Sequence, residues 1–309
     1  MGFLSGIFGY ILNFFYELTN NYGIAIIIFS VLLRLILIPI TIKQQKTMKK
    51  SAKLQEKMKE IQAKYKNNPE KLNQETIELY RTEKLSPFSG CFSAILQILI
   101  ILSVFWLVSQ PLTYMKKVDK QVIDDYKTKI TEEHNGEKST YPEIQIISKI
   151  ESEYQEINNK LASENLENRE ELENKKQTLE NMRINMEFLG LDLSKVPTAN
   201  LGDWKVYVIP ALYVLTSFIS IKITTLAQKK ANEKKDVIIQ DKDNSDEMME
   251  SMQQMNNSML YMTPIMSTSI AVFAPLGLAL YWLVSNVLMI VERLIINKFI
   301  GSKEDEEDE

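Results

Sequence analysis

Several residue types that carry chemistry are nearly absent from this chain of 309 residues. It contains one cysteine, Cys91, so no intramolecular disulfide can form within it. Its one histidine, His134, is distant from Cys91 in sequence, and no spacing typical of metal ligands or of a nucleophile and its base is visible. A phosphate-binding glycine loop and a dinucleotide fingerprint are missing too. The sequence therefore predicts no enzymatic activity, no metal site, no cofactor and no direct nucleic-acid site.

Averages over the whole chain hide its membrane character. Charged residues make up 25%, the net charge is -4 and the mean hydropathy is -0.15. However, apolar runs of about 20 residues, the length that crosses a bilayer, alternate with charged segments. Five spans are predicted: 22–42, 87–112, 204–227 and two within 257–298, which the breakers Ala274-Pro275-Leu276-Gly277 divide.

The remaining segments lie between and around these spans. They are predicted as an interfacial N-terminal helix (1–21), a cytoplasmic helical hairpin (43–86), an extracellular loop (113–203), a cytoplasmic loop (228–256) and an acidic cytoplasmic tail (299–309). Aromatic side chains favour an interfacial helix over a frayed lead-in at the N-terminus. No basic region precedes them, so a cleaved signal peptide is not expected.

Loop charges give the orientation. Residues 43–84 hold twelve Lys or Arg and six Asp or Glu, with the lysines concentrated just after the first span. Residues 1–23 contain no Lys or Arg. Because basic residues near a span stay in the cytoplasm, the N-terminus is predicted outside and the C-terminus inside.

The cytoplasmic segment 43–86 shows helical periodicity on both sides of a break. Asn68 is predicted as an N-cap and Pro69 as the first residue of the returning helix. The pattern indicates an antiparallel, coiled-coil-like hairpin that either only connects two spans or forms a docking surface. Its candidate docking residues are Lys49, Lys50, Lys53, Lys57 and Lys64.

The extracellular segment carries a second periodic pattern. Residues 143–187 are predicted as an antiparallel helix pair, for which a structural spacer is favoured over a specific binding site. The polar stretch 119–142 before it is predicted as a loop.

Arg34 is the most informative residue, because it lies in the middle of the first apolar run. A charge at mid-bilayer costs about 2.5–3.5 kcal/mol on insertion scales and is usually functional. No acidic residue is expected at its depth, since Glu292 and Arg293 are predicted to snorkel at a cytoplasmic end. The sequence therefore predicts a hydrated cavity, suited either to small-anion transport or to holding a polar segment of another membrane protein. A membrane-anchored scaffold with inert spans is the third alternative.

Four separated segments resemble the YidC/Oxa/Alb membrane protein insertases. They are NYGIAIIIFSVLLRLILIPITIKQQKTMKK with the hairpin that follows it, FLGLDLS at 188–194, MTPIMS at 262–267 and APLGLALYWLVSN at 274–286. The resemblance implies an all-α fold of five transmembrane helices around a hydrophilic groove. It also implies insertion and folding of client membrane proteins, alone or with the Sec translocon.

The resemblance assigns Arg34 to the groove arginine, Ser30 to a nearby polar position and Trp282 to a client-contacting aromatic. Other polar residues of the spans complete the candidate groove, although helix packing alone explains most intramembrane hydroxyls. They are Gln97, Ser217, Ser220 and Asn286.

Newly made membrane proteins and the lipid bilayer are the implied partners, with signal recognition machinery and the ribosome as further candidates. The tail is acidic where some relatives have a basic ribosome-binding tail, so the 43–86 hairpin is the better docking candidate. Localisation in the cell membrane of a Gram-positive-type bacterium is expected.

Overall fold

The computed structural model describes residues 2–65, 68–83, 89–162, 168–233 and 269–307. Their regular structure is mostly helical, as predicted, with one small β-hairpin. The helices are α1 (Gly2–Thr19), α2 (Tyr22–Lys64), α3 (Pro69–Thr82), α4 (Ser89–Ser109), α5 (Pro111–Tyr114), α6 (Lys120–Glu133), α7 (Pro142–Leu161), α8 (Arg169–Met182), α9 (Val208–Glu233) and α10 (Leu276–Glu307). The strands are β1 (Glu187–Phe188) and β2 (Leu191–Asp192), and 3-10 helices lie at Pro197–Ala199 and Trp204–Tyr207.

Three of the helical regions are long and apolar enough to cross a membrane. They are Tyr22–Gln44, Trp204–Ile223 and Leu276–Ile296, with 23, 20 and 21 residues. At 1.5 Å per residue each is about 30 Å long or more, which matches the hydrocarbon core. They correspond to the predicted first, third and fifth spans. The predicted second span falls largely in α4, and residues 257–268 of the predicted fourth lie outside the described residues.

Helix α2 does not end where the first span was predicted to end. It continues without interruption from Tyr22 to Lys64. The reason is local: residues 43–64 contain neither Gly nor Pro and are rich in Lys, Gln, Glu and Met, which are good helix formers. Similarly, α10 continues into the acidic tail as far as Glu307.

Helix α3 begins as the sequence predicts. The side chain of Asn68 accepts a hydrogen bond from the backbone N–H of Lys71 at 3.1 Å, and Pro69 occupies the first helical position. Lys57 of α2 pairs with Glu83 just after α3, and the hydroxyl of Tyr65 donates to Glu75 at 3.2 Å. These contacts hold α3 alongside the end of α2.

The region before the third span contains three consecutive helices. Helix α7 begins one residue before the predicted 143–187 pair, α8 lies within it, and the two helices pack on each other. The prediction of a loop over 119–142 is wrong, because α6 occupies Lys120–Glu133 and packs on α7. Asp119 caps α6 by accepting from the backbone N–H of Gln121 at 2.7 Å.

The described residues divide into two compact units. The first comprises 2–32, 101–162, 168–222 and 269–291, and includes α1, α5 to α8 and the β-hairpin. The second comprises 33–65, 68–83, 89–100, 223–233 and 292–307, and includes α3. Helices α2, α4, α9 and α10 each contribute residues to both units.

Candidate functional site

Arg34 and Glu292 form an ion pair in the second unit. Arg34 lies in the span of α2 and Glu292 in the span of α10, with Nη1 and Oε2 3.4 Å apart. Their side chains are 18% and 9% exposed, so both charges are largely removed from solvent. Pairing offsets part of the cost of placing each charge inside a span.

The geometry of this pair is loose. A separation of 3.4 Å exceeds the roughly 2.7–2.9 Å of a strong charge-assisted hydrogen bond. The second carboxylate oxygen, Glu292 Oε1, is buried and has no hydrogen-bond partner among the described residues. Arg293, next in sequence, interacts electrostatically with both Arg34 and Glu292. The cluster thus combines two guanidinium groups with one incompletely satisfied carboxylate.

This pair corrects two predictions. Arg34 was expected to have no acidic residue at its depth, and Glu292 was expected to snorkel away from the span. Sequence reasoning failed because it placed Glu292 by its distance from the end of the apolar run. Which groups face each other across two helices depends on how those helices pack, and hydropathy carries no information on that.

A second polar cluster joins α9 to α10 in the first unit. The amide nitrogen of Asn286 donates to the hydroxyls of Thr216 and Ser217 at 3.1 and 3.2 Å. Asn286 and Ser217 are both buried. The structure therefore brings together two predicted groove residues and adds Thr216, which the sequence analysis did not select. Hydrogen bonds of this kind commonly hold spans together.

The other predicted groove residues have individual surroundings. Ser30 is buried, and its hydroxyl donates to the carbonyl of Ile26 in its own helix at 2.7 Å. Trp282 is half-buried, with its ring centroid 6.3 Å from that of Tyr213. Ser220 is half-buried in α9, and the side chain of Gln97 lies outside the described residues.

Two of the five candidate docking lysines have described side chains, and both make contacts close to α3. Lys57 pairs with Glu83, and the ammonium of Lys64 lies 5.2 Å from the ring centroid of Tyr65. The side chains of Lys49, Lys50 and Lys53 lie outside the described residues.

Glu143 is a buried acid that the sequence analysis did not single out. It is the second residue of α7, where an acid usually sits at the exposed helix start. Here its side chain is 2% exposed, and its carboxylate accepts from the backbone N–H and hydroxyl of Thr113 at 3.0 and 2.6 Å. Burial raises the pKa of Glu143, while the hydrogen bonds from Thr113 act in the opposite direction. The contact fastens α7 to α5.

A polar cavity of about 610 Å³ lies in the first unit, between α7, the β-hairpin and the segment before α9. Among its charged lining residues, Arg183 pairs with Glu151, and Lys195 pairs with Asp203. Arg183 holds the pKa of Glu151 below its usual value. These pairs connect separate segments of the region, which fits a structural role.

Several curated relatives each match about a third of this chain. The chain is 39% identical over 100 residues to "Membrane protein insertase YidC" of Caldanaerobacter subterraneus subsp. tengcongensis, a match that covers 32% of this chain and 48% of the relative. It is 44% identical over 94 residues to the protein of the same name from Geobacter metallireducens, covering 30% of this chain and 18% of the relative. The protein of that name from Endomicrobium trichonymphae is 40% identical over 105 residues, covering 34% and 20%. The chain thus matches less than half the length of each of these relatives.

These relatives are bacterial, and the described residues contain three helices of spanning length, so the chain is a bacterial membrane protein. The profile of one family, the 60Kd inner membrane protein, matches residues 14–304. That match covers nearly the whole chain and confirms the resemblance inferred from the separated motifs. The chain therefore belongs to the 60Kd inner membrane protein family.

Proposed function

We propose that this chain is a membrane protein insertase, which moves polar segments of client proteins across part of the bilayer and releases their apolar segments into lipid. The names of the chain's relatives support this class of activity. The observation that carries the mechanism is the loose ion pair between Arg34 and Glu292 within two spans.

A polar segment entering a bilayer loses its hydration, and that loss is the main barrier to insertion. A guanidinium group within the span gives an acidic or carbonyl-rich segment a partner at that depth. Burial of the client's apolar span in lipid, worth about 25 cal/mol per Å², then drives release. No nucleotide is required by this scheme.

Glu292 regulates access to the guanidinium groups. In the resting protein its carboxylate compensates Arg34 from 3.4 Å away. A client carboxylate or backbone carbonyl can replace it at little cost, because the resting pair lacks the short, bidentate geometry of a strong one. Tight pairing would instead make displacement expensive.

The remaining predicted features belong to the same proposal. The groove positions Ser30, Gln97, Ser217, Ser220, Trp282 and Asn286 would contact the client, and the hairpin lysines Lys49, Lys50, Lys53, Lys57 and Lys64 would meet cytoplasmic partners. Action with the Sec translocon, the signal recognition machinery or the ribosome follows from the family resemblance. An N-terminus outside the cell follows from the loop charges.

The test is insertion of a purified single-span client with an acidic N-terminal segment into proteoliposomes that contain the full chain. Protease protection of the client's N-terminal segment measures translocation. Arg34→Ala should lower translocation of this client several-fold, and Arg34→Lys should retain more activity because it keeps the charge. Leu35→Ala is the matched control, since Leu35 is the next residue and is 58% exposed.

Insertion no better than with empty liposomes would overturn the proposed function. If insertion by the unaltered chain exceeds that baseline but Arg34→Ala has no effect on it, the charge-exchange mechanism fails while the insertase activity stands. Anion flux that depends on Arg34, measured in the same vesicles without a client, would favour the transporter alternative.

A further inference from the structure

The turn between β1 and β2 carries a residue that its backbone disfavours. Leu189 and Gly190, the two residues between the strands, both have positive φ, +51° and +75°. A two-residue hairpin turn with positive φ at both positions favours Asn-Gly or Asp-Gly. Leucine is disfavoured there because its Cβ crowds the backbone in the left-handed region.

Packing within the chain does not explain the leucine. The side chain of Leu189 is 86% exposed, the most exposed large apolar residue among those described. Another turn in the same unit, Asn135-Gly136, also has consecutive positive φ values, +54° and +88°, and there the sequence is the favoured one. The same backbone requirement is thus met by Asn in one turn and by an exposed Leu in the other.

Three contacts fix this turn at the start of the first span. The ring of Phe188 lies so close to Gly23 that a Cβ on Gly23 would be 2.5 Å from Phe188 Cγ. The amide of Asn21 donates to the carbonyl of Glu187 at 2.7 Å, and the backbone N–H of Tyr22 donates to the carbonyl of Asn185 at 3.1 Å. Because the span begins at Tyr22, the turn lies at the depth where the bilayer meets water.

Exposed apolar side chains also lie at the start of the span that leads into α9. Leu201 and Trp204 are 71% and 72% exposed, and Trp204 is the first residue of the span that continues into α9. The 3-10 helix that contains Trp204 packs against β2. Along the span, exposed apolar side chains continue at helical spacing, as expected for a face in contact with lipid. They are Leu212, Leu215, Phe218 and Ile219.

We propose that Leu189, Leu201 and Trp204 insert into the boundary between headgroups and acyl chains of the bilayer, and so anchor the β-hairpin to the lipid. Two observations identify lipid as the partner. The contact between Phe188 and Gly23 places the turn at the start of a span, and Leu201 and Trp204 are continuous with the apolar face of α9. Tryptophan at the end of a span has the amphipathic ring suited to this layer. Insertion of Leu189 offsets the unfavourable backbone conformation and keeps the leucine out of water.

The test places a fluorescent label at the turn in a Cys91→Ser background. Leu189→Cys is labelled with an environment-sensitive fluorophore in lipid nanodiscs, which leave both faces accessible, and Leu201→Cys provides a second site. Asn135→Cys is the matched control, because it has the same backbone conformation and is exposed. Iodide reports contact with water, and lipids brominated near the headgroup report contact with acyl chains.

The labels at 189 and 201 should be quenched by brominated lipid and should be protected from iodide about threefold or more relative to the label at 135. Equal iodide quenching at 189 and 135 would overturn the proposal. Protection from iodide without quenching by brominated lipid would also overturn it. Disulfide crosslinking between two copies of the Leu189→Cys variant would then identify a second copy of the chain as the partner that shields this turn from water.

Discussion

Arg34 of α2 and Glu292 of α10 face each other across 3.4 Å within their spans. The charge that made the first span unusual is therefore compensated inside the protein. The pair is neither short nor fully satisfied, since Glu292 Oε1 has no hydrogen-bond partner among the described residues. Such a pair stabilises the resting protein and can still exchange with a client.

A double-mutant cycle measures this pair. Arg34→Ala leaves the buried carboxylate of Glu292 without this compensation. It should therefore destabilise the protein more when Glu292 is present than when Glu292 has been replaced by Gln. We expect a coupling free energy of about 1–3 kcal/mol. Thermal unfolding in nanodiscs, followed by circular dichroism, provides the measurement.

A second cycle, in which Leu35 takes the place of Arg34, is the control. Leu35→Ala combined with Glu292→Gln should show additive effects, because Leu35 makes no ion pair and is largely exposed. Additivity for Arg34 and Glu292 would contradict the pairing.

Asn286 should contribute modestly to the association of α9 and α10. Asn286→Leu removes two interhelical hydrogen bonds, to Thr216 and Ser217. Bonds of this kind within membranes average about 0.6 kcal/mol, so a loss of about 1 kcal/mol is expected. The measurement is the unfolding midpoint in nanodiscs, and Val287→Leu, at an exposed neighbouring position, should leave it unchanged. A gain in stability with Asn286→Leu would contradict the expected net contribution of Asn286 to helix association.

Two glycines of α1 should respond to alanine in opposite ways. A Cβ on Gly9 would lie 1.8 Å from the carbonyl oxygen of Tyr114, whereas the nearest atom to a Cβ on Gly6 is Lys117 Nζ at 3.8 Å. Gly9→Ala should therefore cost about 1–3 kcal/mol by forcing α1 away from α5. Gly6→Ala should gain up to about 1 kcal/mol from helix propensity. Unfolding midpoints of the two variants test this directly, and equal shifts would mean that α1 does not pack closely on α5.

Stability should depend on pH through Glu143. Burial raises the pKa of Glu143 above its ordinary value of 4.5, so the folded protein holds this proton to higher pH than the unfolded chain does. Its contribution is therefore fully present below the ordinary value and is lost as pH rises through the raised pKa, with a slope of at most about 1.4 kcal/mol per pH unit. Glu143→Gln should remove this dependence.

The pH series is best measured by thermal unfolding of the full chain in nanodiscs from acidic to neutral pH. Glu132→Gln, which removes an exposed carboxylate from the same unit, serves as the control and should keep the dependence of the unaltered protein. An unchanged pH profile for Glu143→Gln would contradict the assignment.

Local rules predicted much of the helical structure. Asn68 and Pro69 start α3 as expected because capping depends on neighbouring backbone groups alone. The same rules failed at 119–142, where Asp119 caps a helix whose apolar residues Ile123 and Ile130 are buried. The polar composition of that stretch concealed a narrow apolar face.

In the candidate site too, the sequence predicted some features of the polar residues and missed others. The sequence placed Arg34 in a span and identified Ser217 and Asn286 as polar residues within spans. It did not predict that Asn286 donates to Ser217 or that Glu292 faces Arg34. Partners in these pairs lie on different helices, so their contact depends on helix rotation and register.

Apolar run length and helix caps act over a few neighbouring residues, and from them the sequence by itself determined the membrane character, three of the spans and the start of α3. The separated motifs determined the family. Only the tertiary structure decided which charges compensate each other, that Glu143 is buried against Thr113, and that Phe188 holds an exposed leucine at the start of a span. The physical reason is that each of these contacts joins residues distant in the chain, and the packing of whole helices brings them together.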